Sequence, residues 1–367
     1  MIVNRRMVLA GGAGALVSGC APWEKIGNWA SGDAWSTGDG MHRVKALLDD
    51  LATKMLHETP ERATSLGVSE VIAGGRFGDR LTDNSFTGMQ KRAGIVARAL
   101  SAVDQIDRSG LSQHDAVSCA VLHESLSNSL AGARFGWGSF GFGPPQPYTV
   151  TQLSGSYIQT PTFLDTNHPI RTTTDVEYYL ARLSSYADRL DQESKRIAED
   201  AKQGIVPPDF VLDGTIAQLK GFASKAAVDT ILVQSLKRRI AGVPGMDAKQ
   251  AESKISAAIK LVSQKILPAY SRQADALRAL REKSGHDAGI WRVKNGDQFY
   301  ATALRAWTTS SLSPDQIHKM GLDLVRDINA QMLAVLDARG PKGGTLSDRI
   351  GALSADPAQL YANTDSG

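Results

Sequence analysis

Apolar residues recur every three or four positions through most of this chain, and that period commits it to helices rather than strands. Between Met41 and Thr59, Val44, Leu47, Leu48, Leu51, Met55 and Leu56 form one stripe, with Arg43, Lys45, Asp49, Asp50 and Lys54 largely off it. Pro60 ends that helix. A second helix is predicted over about 86–107. A third opens at Ser112, where Asp115 follows a capping hydroxyl by three residues, and continues to about Ala131. Three such helices in succession make an antiparallel bundle the economical arrangement. Helices resume at Asp175 behind caps at 172–174 and run to about Gln203, with Val176, Tyr179, Leu180, Leu183, Tyr186, Leu190 and Ile197 on one side. Gly204 supplies a C-cap, and Pro207-Pro208 then forces an extended turn. Further helices are predicted over about 216–241, 247–283, 298–308 and 314–338, the last ended by the turn from Gly340 to Gly344. No internal repeat and no strand-like alternation is found, so the expected fold class is all-α, a multi-helix, bundle-like array.

One stretch departs from this pattern. Residues 134–148 carry Gly136, Gly138, Gly141, Gly143, Pro144, Pro145 and Pro147 among Phe135, Trp137, Phe140, Phe142 and Tyr148. Neither helix nor regular strand suits it. Such a segment is a loop packed over a core, or the wall of a binding cleft.

The chain opens with Arg5-Arg6 before an apolar, glycine-rich stretch running to Gly19, the order of a bacterial export signal. The stretch is too short and too glycine-rich for a permanent span, which needs roughly 20 apolar residues. Adjacent arginines fit the twin-arginine route. Val17-Ser18-Gly19-Cys20 resembles a lipobox, which makes Cys20 the expected lipid-accepting residue, and Ala21 gives no signal for inner-membrane retention. The expected organisation is a signal peptide over 1–19, a flexible Gly/Ser/Asp/Trp-rich tether over 20–40, and a helical domain over 41–367. The only other cysteine, Cys119, sits in an apolar helical pattern and reads as a small buried hydrophobe. With Cys20 acylated no intramolecular disulfide can form, so stability must come from the core.

Losing Arg5 and Arg6 with the leader takes the 41 basic residues to 39, against 38 acidic ones. A surface so nearly neutral gives no electrostatic reason to expect nucleic acid, and membrane attachment rests on the lipid alone. No Gly-x-Ser-x-Gly elbow and no phosphate-binding glycine-lysine loop is present, which argues against a serine hydrolase and a nucleotide enzyme. His123-Glu124 looks like half of a zinc-peptidase helix motif, but Ser127 stands where the second histidine is needed. His57-Glu58 fails in the same way. His42, His114, His168, His286 and His318 are scattered singly.

Several stretches resemble the bacterial domain-of-unknown-function 885 (DUF885) family. They are Glu58-Thr59-Pro60-Glu61-Arg62-Ala63-Thr64-Ser65-Leu66-Gly67, Gln152-Leu153-Ser154-Gly155-Ser156-Tyr157, Gly204-Ile205-Val206-Pro207-Pro208 and Leu267-Pro268-Ala269-Tyr270. The most telling runs from Gly296 through Tyr300, Trp307, Thr308 and Thr309 into Leu312-Ser313-Pro314 and His318-Lys319-Met320-Gly321. The resemblance implies an exported, largely helical protein related to zinc peptidases of the gluzincin type. It further implies that the zinc ligands and base lie in a C-terminal portion ending in Pro-Gly-His, which this sequence does not contain. The chain therefore reads as truncated, with no cofactor of its own and with zinc implied only for the complete family domain. Such a core, built to continue, is expected to leave an apolar face uncovered.

Two function classes follow. The chain is the N-terminal, substrate-framing part of a zinc-dependent peptidase, or a noncatalytic envelope lipoprotein that binds peptides or a protein partner. On either reading the residues to watch are Tyr300, Thr308, Thr309 and His318, around a loop that could face a peptide cleft. The alternative is that both threonines cap helices while Tyr300, Trp307 and Ile317 pack between them.

Overall fold

The computed structural model describes residues 40–367. Arg5, Arg6, Cys20 and the 20–39 stretch of the tether lie outside the described residues. The described residues up to Trp307 form one compact unit and Thr308–Gly367 a second.

The first unit contains α1 (Gly40–Glu58), α2 (Pro60–Ser65), α3 (Phe86–Asp104), α4 (Gln113–Ala131), α5 (Ser156–Thr166) and α6 (Thr173–Lys202). It continues through α7 (Asp209–Ala223), α8 (Ile231–Ile240), α9 (Ala248–Leu261), α10 (Leu267–Arg281) and α11 (Gly296–Thr308), whose final residue is assigned to the second unit. The fold is all-α, and among the described residues no helix is long and apolar enough to cross a membrane.

Capping chemistry sets many of the starts. Ser85 accepts from the Gly88 amide and Ser112 from Asp115. Thr172 with Asp175, and Asp247 with Gln250, close reciprocal capping boxes, each cap contributing about 1 kcal/mol.

Two cores result. Val44, Leu47, Leu51, Ile95, Val96, Ala99 and Leu126 join α1, α3 and α4. The larger core surrounds α6, whose Val176, Tyr179, Leu183, Tyr186 and Leu190 meet residues of α5, α7, α8, α9 and α10. Cys119 is fully buried, and burial pushes its thiol up, as suits a small apolar filler.

Three segments differ from expectation for identifiable reasons. The helix predicted over 216–241 is two helices. Between them Ser224 Oγ donates to the Gly221 carbonyl and Thr230 Oγ1 to the Ala227 carbonyl, local bonds that compete with helix continuation. Within 247–283 a π-turn over Val262–Ile266 precedes Pro268, which has no amide to donate. α5 escaped the pattern because Pro161 sits inside it. The Tyr157 carbonyl, which Pro161 cannot serve, accepts from the Tyr270 hydroxyl at 2.6 Å, and the Tyr186 hydroxyl reaches the Ser156 carbonyl at 2.9 Å.

Residues 134–148 also depart from a plain loop. They hold a short antiparallel hairpin, β1 (Ser139–Gly141) and β2 (Gly143–Gln146), with Ser139 opposite Gln146. Gly138 makes the close return feasible: its φ is +70°, and a Cβ there would lie 2.3 Å from the Gln146 carbonyl oxygen.

The second unit holds α12 (Pro314–Arg339) and α13 (Leu346–Ser354). Ser313 and Gln316 form a capping box at the start of α12, and Arg349 ties the two helices by bonding Asp337 at 2.8 Å and the Pro341 carbonyl. Along α12, Leu324, Val325, Ile328 and Val335 are half or more exposed.

Candidate functional site

α11 sorts its residues by helical face. Phe299 and Thr302 point inward: Phe299 stacks on Trp137 with centroids 4.4 Å apart, and Arg134 donates to Thr302 Oγ1 at 2.6 Å. Arg305 pairs with Glu124 on α4 at 3.0 Å. With that side held, Tyr300, Ala303 and Trp307, spaced three and four apart, form the other face. They line a cleft of about 490 Å³. Pro145, Gln146 and Pro147 from the hairpin also line it, together with the 288–291 segment.

Tyr300, Trp291 and Trp307 are 49%, 68% and 65% exposed, an unusual concentration of aromatic surface left in water. Trp291 folds back over Gly289, where a Cβ would fall 1.7 Å from the indole. The turn that follows is anchored by Arg292, which donates to the Tyr148 hydroxyl at 2.8 Å and to the Val206 carbonyl. Burial pushes the Tyr148 phenol up, with Arg292 opposing, so it stays protonated at neutral pH. Asp297 is the only ionisable carboxylate on the lining. The cleft thus offers flat amphipathic rings, two prolines, the Gln146 amide and one negative charge.

On its other side the aromatic layer borders a second cavity, of about 450 Å³, lined by Trp137, Phe86, Met89, Lys195, Glu199 and Asp200 among others. Asp200 accepts from the Gly138 amide at 3.3 Å and Thr149 Oγ1 at 3.4 Å. Burial pushes its carboxyl up to about 6, with Arg196 opposing. Arg196 gives its own donors to the carbonyls of Gly138 and Asn84. The hairpin segment that walls the cleft is therefore fastened to α6 through the backbone of Gly138.

The structure disperses the remaining residues of interest. Thr308 and Thr309 are exposed at the end of α11, Thr308 Oγ1 lying 3.0 Å from Ser310 Oγ and Thr309 donating to the Thr308 carbonyl. Thr309 has φ +50°, so it ends the helix by leaving helical geometry. His318 is exposed on α12, in the second unit. Only Tyr300 of these four lines the cleft. His123 lies 3.4 Å from Asp104, Glu124 is taken by Asn128 and Arg305, and Glu58 pairs with Lys91. His168 is buried and held down to about 4 by desolvation and by Arg182. Its Nδ1 accepts from Arg182 at 2.6 Å and its Nε2 donates to the Asp175 carbonyl, a neutral structural imidazole. Among the described residues no group of three His, Cys, Asp or Glu side chains could hold a metal.

Sequence reasoning missed Trp291 and Asp200. Trp291 sits in an aperiodic stretch with no signal of its own. Asp200 carried one: it falls on the buried side of α6, where an acid needs an explanation.

Comparison with known proteins gives a family and a structural neighbour. No curated protein matches the chain. A crystal structure of "the putative lipoprotein from Colwellia psychrerythraea" superposes with a TM-score of 0.78 at 25% identity, covering 90% of this chain and 56% of that one. The chain thus spans a little over half of that protein's length. The family model described as bacterial protein of unknown function (DUF885) matches residues 60–367, and the chain belongs to that family.

Proposed function

We propose that this chain is a lipid-anchored protein of the bacterial envelope whose aromatic cleft binds extended peptide, and that it forms the substrate-framing part of a DUF885 protein. The anchor is Cys20, reached after export directed by Arg5 and Arg6. Likeness to a protein described as a lipoprotein supports this half of the reading.

The observation that carries peptide binding is the exposed aromatic group Trp291, Tyr300 and Trp307 lining one cleft with Pro145 and Pro147. Rigid rings lose little entropy on binding and stack on prolines and apolar side chains, while Tyr and Trp keep a polar edge for backbone carbonyls. Asp297 gives such a groove a preference for a cationic group at one point. Such framing would serve hydrolysis by a zinc-dependent peptidase.

The test is tryptophan fluorescence during titration with a tryptic peptide mixture, beside a Trp291→Ala/Trp307→Ala double variant titrated calorimetrically. Saturable binding by the native chain and its loss in the variant are expected. Equal binding by both, or none by the native chain, refutes the reading.

A further inference from the structure

A third cavity, of about 200 Å³, opens between α2, α5 and α6 and shares no lining residue with the aromatic cleft. Apart from Thr59, whose hydroxyl donates to the Met55 carbonyl, its polar lining is Glu61, Arg62, Thr82, Gln159, Thr160 and Arg189. Glu61 is fully engaged: one oxygen takes Arg189 Nη1, and the other accepts the Thr82 amide at 3.0 Å and the Thr82 hydroxyl at 2.5 Å. Burial works against its charge, but Arg189 and these bonds outweigh it and hold the carboxyl below its ordinary range.

Two buried groups that can donate are left over. Thr160 is 1% exposed and its Oγ1 has no partner, nor does the buried Nε of Arg189. A buried donor without an acceptor costs about 1–3 kcal/mol, so two lining one cavity call for something to accept from them. Arg62 stands exposed on the same lining and takes part in no salt bridge among the described residues.

The local charge points the same way. Phe163, also on the lining, has the Arg182 guanidinium 4.9 Å from its ring centroid. Arg182 is completely buried, yet every acceptor it reaches is neutral: the carbonyls of Pro60, Phe77 and Arg80, the Thr64 hydroxyl and the His168 imidazole. Two guanidinium groups, Arg62 and Arg189, thus line the cavity against one lining carboxylate, Glu61, while Arg182 lies behind Phe163 and feels both Glu61 and Asp79.

We propose that this cavity is a binding site for a small oxyanion, a carboxylate or phosphate group, held by Arg62 and Arg189 with Thr160 donating from the floor. An oxyanion would supply the missing acceptors and offset the excess positive charge. A neutral ligand or water would do only the first.

The full chain is titrated calorimetrically with acetate and with inorganic phosphate at constant ionic strength, beside Arg62→Gln, which is exposed, and Thr160→Val, which keeps the side-chain shape. Saturable binding is expected, weakened by about tenfold or more in each variant, as befits loss of one charge-assisted bond. Preference for acetate assigns the site to a carboxylate and preference for phosphate to a phosphate group. Absence of saturable binding of both anions, or binding that either variant leaves unchanged, overturns the proposal. The Trp291→Ala/Trp307→Ala variant should bind the anion normally, which separates this site's failure from failure of the cleft.

Discussion

Replacing Asp200 by Asn should make the protein more stable at neutral pH, although it removes a charge that faces a cation. In the folded chain burial pushes this carboxyl from its ordinary 3.8 up to about 6. The folded state then holds the proton more tightly than the unfolded chain does. The contribution to stability is present in full below pH 3.8 and is lost as pH rises through 6. About 2 units at 1.36 kcal/mol each gives a loss of about 3 kcal/mol by pH 7. Arg196 does not rescue the ionised form by bonding it, because its donors go to the carbonyls of Gly138 and Asn84. Asparagine keeps an amide oxygen for the Gly138 amide and never ionises. Urea unfolding of both proteins, followed by circular dichroism from pH 4 to pH 8, should show a small difference at pH 4 that widens in favour of Asp200→Asn to about 3 kcal/mol by pH 7. A difference that stays constant with pH, or that favours the native chain increasingly as pH rises, would refute the assignment.

Other outcomes follow from single contacts. Tyr270→Phe should cost about 1–3 kcal/mol, read from the urea midpoint, because the Tyr157 carbonyl above Pro161 loses the hydroxyl that serves it. Glu193→Ala should cost roughly 3 kcal/mol or more by the same assay, since it strips acceptors from the Ser156 amide, the Ser156 hydroxyl and Asn84 at once. Leu324→Asp with Ile328→Asp should leave helicity unchanged and reduce self-association in sedimentation experiments, because both residues are exposed on α12. Cys20→Ser should move the chain from the membrane fraction to the soluble fraction of cell lysates, and Arg5→Lys with Arg6→Lys should block export, read by fractionation.

The helices with intact apolar stripes and side-chain caps were legible residue by residue. Ser112 opens α4 and Thr172 opens α6 where the capping pattern places them, because a cap is a local interaction that needs no tertiary knowledge. Elements that rely on distant partners were not legible. α5 carries a proline that forbids it by local rules, and it persists because Tyr270, more than a hundred residues away, supplies the bond that Pro161 cannot. The hairpin likewise depends on Gly138 being held by Asp200 and Arg196. The cleft combines the hairpin, which the aromatic Gly/Pro pattern of 134–148 marks as a loop or cleft wall, the turn around Trp291, which carries no pattern, and one face of α11, where Tyr300 is a candidate from the resemblance.

The most informative misread signal lies along α6. Arg182, Arg189, Glu193, Arg196 and Asp200 recur at the helical spacing of its buried side, and all five are buried. On a sequence plot they dilute an otherwise apolar stripe and look like noise. In the structure each pins a different part of the chain. Arg182 and Arg189 hold the α2 segment through Thr64 and Glu61, Glu193 holds the entry to α5 at Ser156, and Arg196 and Asp200 hold the hairpin at Gly138. Buried charges are costly, and apolar substitutes of similar volume often give equal or better stability. Stability alone is therefore a weak reason for five of them. Their placement supplies a better one, because the segments they fix contribute to the walls of the three cavities described above, and fixing a loop from beneath leaves its outer surface free to bind.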